Sequence, residues 1–440
     1  MVTDKTPALK RDLGWFGATI LGLASVIGVG IFVSVGIAAG LTGAAVIGAL
    51  IMAGLLSGCN SLNLAQLAVN HPVSGGIYEY GYRYLNPWLG FTGGWIYLLG
   101  KIAVAATAAL GFSGYVLNTL GLPQDHALLV MVAEGAVITL TLIILGGMTR
   151  SKVVALTTVS VTLSSLLFLI VGGVVTLPSV GFQPLTFIEA DRFTQIQHFL
   201  ESVALLFVAY NGAARISMLG EEVTDPKRNI PKAIFTTLGM TVVLYVAVAI
   251  VGLGCLGAVA FGQAATEQAA PLQVVVEQFG IYGGSALLSL GAITATLSVL
   301  LSVILGLSRM LLAMGRRGDM PKVVAKLTES DATPIWAIVG VAIAITLLVL
   351  TGAVKTTWSF AAFGSLYRSV IVSLATLQLS DDERLYPRWL AWVSLFSGFF
   401  LAFWIEWQVW LIGFGLIGAG LIWHGIAKQA AIAPVEPSGS

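Results

Sequence analysis

The chain has 440 residues, of which 57% are hydrophobic and only 10% charged, with a net charge of +1. Soluble domains carry about 25% charged residues, so this is the composition of an integral membrane protein, and the near-neutral balance excludes a nucleic-acid footprint. His71, His126, His198 and His424 are dispersed, no nucleophile-elbow motif stands in a suitable context and there is no P-loop. An embedded enzyme, a metal centre and an ATP-driven pump therefore find no support, and no cofactor is expected.

Apolar runs separated by Gly, Pro and charge clusters give twelve spans, near 15–39, 42–67, 88–119, 127–147, 153–177, 196–219, 232–258, 281–314, 335–353, 357–378, 387–404 and 407–427. The first follows a short polar start and is too long for a signal-peptide core, so it reads as a retained anchor; residues 433–440 read as a disordered tail. Cys59 and Cys255 lie in apolar runs and read as buried thiols. Loops on one side hold Lys5, Lys10, Arg150, Lys227, Arg316 and Lys322 among many others, whereas the opposite loops hold only Arg192 and Lys355. That asymmetry places both termini in the cytoplasm and the chain in the cell membrane.

Two spans are interrupted. Span 1 carries Ile27-Gly28-Val29-Gly30-Ile31-Phe32 at its centre, where Gly costs about 1 kcal/mol relative to Ala. One reading is a broken helix whose freed backbone lines a cavity; the other is close helix packing through small residues. Span 6 carries Ala209-Tyr210-Asn211-Gly212. Two interrupted helices, five spans apart and oppositely oriented, point to an inverted-repeat transporter. The expected fold is an all-α membrane protein of about twelve helices. Its expected parts are a cytoplasmic start (1–13), a five-helix repeat (14–178), a second inverted repeat (196–379), two extra helices (386–428) and a cytoplasmic tail (429–440). The N–H groups of Gly30, Ile31 and Phe32 are expected to face the gap and bind a carboxylate, as helix N-termini do. The carbonyls near Ile27 and Ala209-Tyr210 suit an ammonium. Together they fit an α-amino acid. Tyr210 is read either as a lid over the substrate or as a packing aromatic, and Asn211 as a polar contact.

The motifs resemble a known family. Ile27-Gly28-Val29-Gly30-Ile31-Phe32 is similar to the I-G-x-G-I-F signature of the amino acid–polyamine–organocation (APC) permeases. Pro72-Val73-Ser74-Gly75-Gly76-Ile77-Tyr78 resembles that family's P-x-S-G-G-x-Y loop, and the stretch from Gly220-Glu221-Glu222 through Asp225-Pro226 to Ile234 resembles its E-E-x-x-D-P-x-R-x-I-P-x-A-I motif. The resemblance implies a leucine-transporter-type fold and secondary transport of amino acids or related amines. It also implies that the unwound parts of spans 1 and 6 hold the substrate backbone, while spans 3, 8 and 10 shape the side-chain pocket. Two departures stand out. Arg317 occupies a position where the family's A-M-A-R-D-G-x-x-P loop usually has Asp, and span 5 lacks the lysine of some proton-coupled members. The D-P pair also reads locally, with Asp225 as a helix cap, Pro226 at the first position and Pro231 opening span 7. Glu221 and Glu222 are read as an inner gate or a plain solvated loop.

Charges inside spans are functional candidates, because each costs at least about 2.5–3.5 kcal/mol at the bilayer centre. Lys101, in the middle of span 3, either titrates during transport, stands in for a sodium ion, or pairs with Glu134 or Glu201. Arg215 is expected to pair with Glu221 or Glu222, Arg368 to face a cavity, and Arg309 to snorkel. Thr294, Ser298 and Ser302 share one face of span 8, where they either line an ion site or bond to backbone carbonyls. No selectivity filter or ring of like charge suggests a channel. The expectation is a secondary transporter of amino acids working by alternating access, with neutral amino acids as substrates and H⁺ coupling or exchange. The alternatives are a polyamine or cationic amino acid antiporter and a Na⁺-coupled symporter. The expected partners are the amino acid and the lipid bilayer; the sequence points to no nucleic acid and identifies no protein partner.

Overall fold

The computed structural model describes residues 13–71, 76–146, 152–180, 191–217, 223–328 and 333–432. These are helical throughout with no strand, apart from one isolated parallel bridge between Leu13 and Val223. In chain order the helices are α1 (Trp15–Val26), α2 (Val35–Thr42), α3 (Val46–Asn70), α4 (Ile77–Tyr84), α5 (Pro87–Thr119), α6 (His126–Leu145), α7 (Lys152–Val180) and α8 (Arg192–Ala209). They continue with α9 (Ala214–Ser217), α10 (Pro226–Thr266), α11 (Pro271–Glu277), α12 (Gly284–Arg316), α13 (Ile335–Val349), α14 (Val354–Leu377), α15 (Arg388–Ala402) and α16 (Trp407–Ile432).

Helices α3, α5, α6, α7, α10, α12, α14 and α16 are long and apolar enough to cross a membrane, and α1 with α2 adds a ninth span across a 47° bend. The apolar α13 and α15 have 15 residues each, and α8 has 18. Every expected span coincides with one of these helices or with a broken pair. The short helices α4 and α11 were not expected; they lie between spans.

Helix α5 is the central post, the most buried of the spans among the described residues, and it packs against α12, α14, α4, α6 and α13. Its contact with α14 is close because Gly100 meets Gly364, where an added Cβ would come within 3.0 Å of the facing Cα. Without a water-driven force between helices in lipid, such small-residue crossings supply the attraction through van der Waals contact. Outward-facing Met131, Ile138, Leu142, Val243, Phe396 and Phe400 are exposed, as a lipid-facing surface requires.

Several ends are set locally. Asn86 and Asp125 cap α5 and α6 by accepting the Leu89 and Leu128 N–H groups. The start of α10 departs from expectation. It begins at Pro226 and runs through Pro231, so Pro231 does not open the span. Asp225 precedes it in the left-handed region (φ 44°) and makes no side-chain cap. Its backbone carbonyl instead accepts the N–H groups of Arg228 and Asn229. Helix α10 then kinks at Gly257 (φ 74°).

Candidate functional site

The break in span 1 is real and is also closely packed. Helix α1 ends at Val26, Ile27 is extended (φ −75°, ψ 108°), and the chain re-enters as a π turn over Gly30–Ser34 before α2. A π turn shifts the hydrogen-bond ladder, and side chains take up the carbonyls it leaves: Tyr115 Oη donates to Phe32 O (2.8 Å) and Ser34 Oγ to Gly30 O (2.5 Å). Two of the three amides expected to be free, those of Ile31 and Phe32, are bonded. Ile31 and Phe32 donate to Gly28 O at 3.1 and 3.3 Å, while the Gly28 N–H finds no backbone acceptor among the described residues. Residues 27–32 are all buried.

Span 6 breaks beside it. Helix α8 ends at Ala209, a 3₁₀ turn covers Asn211–Ala213, and α9 follows. The two breaks touch through glycine. A Cβ on Gly30 would come within 2.7 Å of Ala209 Cβ, and one on Gly212 would collide with Ser25 O and Val26 N. The span is therefore broken and closely packed at the same glycines, with the freed backbone buried.

Tyr245 of α10 joins the two helix ends. Its hydroxyl lies 3.1 Å from Val26 O and 3.3 Å from Ala209 O, so the carbonyl ends of α1 and α8 converge on one point. Nothing in its apolar run marked Tyr245 in the sequence. Tyr210 is fully buried, packed against Tyr245 (ring centroids 5.3 Å apart) and beside Gly54 of α3, and its hydroxyl has no hydrogen-bond partner among the described residues. Asn211 is partly accessible, and its Oδ1 accepts from Arg368 of α14 at 2.7 Å.

The charged candidates sort differently from expectation. Lys101 pairs with neither Glu134 nor Glu201. Its ammonium lies 5.8 Å from the Tyr97 ring centroid and makes no ion pair among the described residues. Glu201 instead faces Lys355 (3.4 Å), which also holds Glu406 (2.6 Å), and Glu134 accepts from Thr346 (2.8 Å). Arg368 is buried and bonded to Asn211 rather than open to a cavity. Arg215 and Arg309 are exposed. Glu221, Glu222 and residues 72–75 lie outside the described residues. Thr294 donates to Leu290 O (2.8 Å) and Ser302 to Ser298 O (2.7 Å), which is back-bonding along their own helix. Among the described residues no group of His, Cys, Asp or Glu is placed to hold a metal.

Two further motif residues meet at the end of the bundle where the α12–α13 loop faces α4. Tyr78 and Tyr82 of α4 both donate to the fully buried Asp319, Tyr82 at 2.5 Å. Burial, and then the hydrogen bonds to this carboxylate, push both phenols well above their ordinary range, so they remain donors at physiological pH. His424 Nδ1 lies 3.2 Å from Asp319, at ion-pair distance without hydrogen-bond geometry, and Lys428 lies at 3.6 Å. Arg317, at the position where Asp was expected, stacks over Tyr82 (4.2 Å) and bonds Glu79 (2.5 Å). The acidic role at this corner falls to Asp319, two residues later.

Comparison with known proteins gives the family. The family described as amino acid permease matches residues 17–414. An uncharacterized transporter of Mycobacterium tuberculosis is 32% identical over 425 residues, covering 97% of this chain and 93% of its own length. The branched-chain amino acid permease BcaP of Bacillus subtilis is 28% identical, covering 88% and 84% respectively. The methylthioribose transporter of the same organism is 30% identical, covering 75% and 73%.

Proposed function

The chain belongs to the amino acid permease family of the APC superfamily, a family of transporters and not enzymes, and from that premise we propose that it carries α-amino acids across the membrane by alternating access. The observation that carries this reading is the convergence of Val26 O and Ala209 O on one hydroxyl, beside Gly30 where the chain re-enters as a helical turn and near the Gly28 amide, which has no backbone acceptor among the described residues. Carbonyls at two helix C-termini suit an ammonium, and amides at a helix N-terminus suit a carboxylate. A zwitterion offers both groups a few ångströms apart. Residues 14–178 and 196–379 then act as two inverted repeats that rock about this point, each opening with a broken span. Both termini are cytoplasmic, in keeping with the basic loops. Lys101 is the candidate for coupling, since span 5 offers no ionisable side chain.

The polyamine alternative is disfavoured. Its second ammonium needs a carboxylate at the gap, and Glu201 and Glu134 are held elsewhere by Lys355 and Thr346.

The test is thermal stability of the detergent-purified chain against common amino acids, their methyl esters, their N-acetyl forms and several polyamines. A ligand at 100 times its Kd adds about 2.7 kcal/mol of stability. Stabilisation that needs both the free amine and the free carboxylate is expected. Equal stabilisation by the blocked forms, or stabilisation by polyamines alone, overturns the reading.

A further inference from the structure

Lys101 sits in the middle of α5, the most enclosed of the spans, yet it is partly accessible. On a helix so enclosed by its neighbours, that side chain lies among helices and not in lipid. The Gly100–Gly364 crossing brings α14 against it, and Arg368 follows Gly364 by one helical turn. The guanidinium of Arg368 is fixed by Asn211 at the break of span 6. Arg215, one turn beyond that break, is exposed. Both arginines lie near enough for their charges to act on the Lys101 ammonium. None of the three forms an ion pair with a described carboxylate, and Tyr97 offers Lys101 only a ring face. Cations this deep in a span are normally paired. Lys101 and Arg368, adjacent across the α5–α14 crossing and without a described carboxylate, call for an anion, with the exposed Arg215 on the approach to them.

We propose that Lys101, Arg368 and Arg215 form a second anion-binding subsite that takes the side-chain carboxylate of an acidic amino acid, which makes the transported class dicarboxylic rather than neutral. The proposal rests on the zwitterion reading above and adds the side chain to it. Asn211 is a positioning residue: it aims Arg368 from the same turn that ends the substrate-backbone site. Arg215 stands at the accessible end of the cluster, where it draws anions inward.

The experiment compares L-aspartate with L-asparagine and L-glutamate with L-glutamine. Binding to the purified full chain is measured by thermal shift in chloride-free HEPES–Tris buffer, and sodium chloride is titrated separately. Charge-assisted bonds are worth about 1.5–3 kcal/mol each, so an acid is expected to bind at least about tenfold more tightly than its amide. Lys101→Gln and Arg368→Gln should each shrink that ratio toward one. The acid-to-amide comparison on the unaltered chain decides the matter even where a variant fails to fold. Amides binding as tightly as acids would overturn the subsite while leaving the zwitterion reading intact. Lys101-dependent saturation by chloride that neither acid displaces would assign the cluster to a free counter-ion and likewise overturn the proposal. Binding of blocked α-amino or α-carboxyl forms is the separate result that would sink the reading beneath it.

Discussion

At the break in span 1 the backbone turns on glycine, every residue from 27 to 32 is buried, and the freed carbonyls are taken by hydroxyls, from Ser34 of the same turn and from Tyr115 and Tyr245 of other helices. The break in span 6 is partly accessible and is held by a polar side chain, Asn211, bonded to a cation from α14. The first break is a matter of space and backbone, the second of charge and reach. A substrate contact made by the first depends on main-chain groups that every α-amino acid satisfies. Contacts near the second depend on side chains that differ from one carrier to another. Under the proposed function, common recognition and selective recognition fall on different helices of the same site.

That contrast breaks first at the glycines. A Cβ on Gly212 would collide with the backbone of Ser25 and Val26, which cannot give way without separating the two breaks. Gly212→Ala should abolish transport and leave little monodisperse protein on size-exclusion chromatography. Gly28 meets only Val299 Cγ2, at 2.6 Å from an added Cβ, and that side chain can shift. Gly28→Ala should therefore fold, at a cost of about 1–3 kcal/mol from overpacking. If Gly212→Ala transports like the parent chain, the two breaks do not meet as described.

Tyr245→Phe sharpens the comparison with a smaller change. It removes the single donor shared by Val26 O and Ala209 O and leaves two buried carbonyls to find another partner, at about 1–3 kcal/mol. Thermal melting should fall accordingly in the absence of substrate. An unchanged midpoint would show that the hydroxyl does not hold the two ends together.

These predictions also mark what was legible in the sequence. The spans were readable because lipid imposes length and hydropathy on each one. The Gly28-Val29-Gly30 break was readable because glycine stands where a helix former belongs. Tyr245 was not, since a tyrosine in an apolar run is an ordinary packing residue until its hydroxyl is placed. Lys101 was visible as a deep charge, but its surroundings were not: pairing with Glu134 or Glu201 looked equally plausible until α14 brought Arg368 and left both glutamates elsewhere. Charge in one span is a local fact, whereas charge balance is a tertiary one.

Two aspartates make the same point at the smallest scale. Asp225 precedes Pro226, a sequence that suggests a cap, yet its left-handed backbone leaves the side chain without a cap bond. Asp191 precedes Arg-Phe-Thr and does cap, accepting from Phe193 N (3.0 Å), Thr194 N (3.2 Å) and Thr194 Oγ1 (2.5 Å) at the start of α8. The Thr194 hydroxyl and amide hold the Asp191 carboxyl below its usual range. A carboxylate with a depressed folded-state pKa contributes stability at pH values above its unfolded-state pKa, and that contribution is lost as pH falls through the folded-state value. Asp191→Ala should thus lower the melting midpoint at neutral pH by less than Tyr245→Phe does. The gap between variant and parent should close as pH drops below the ordinary aspartate range, about 3.9. A gap that persists there would mean that α8 is fixed at this end by packing. The span 6 break would then owe its position to the bundle alone and not to a helix registered from its capped end.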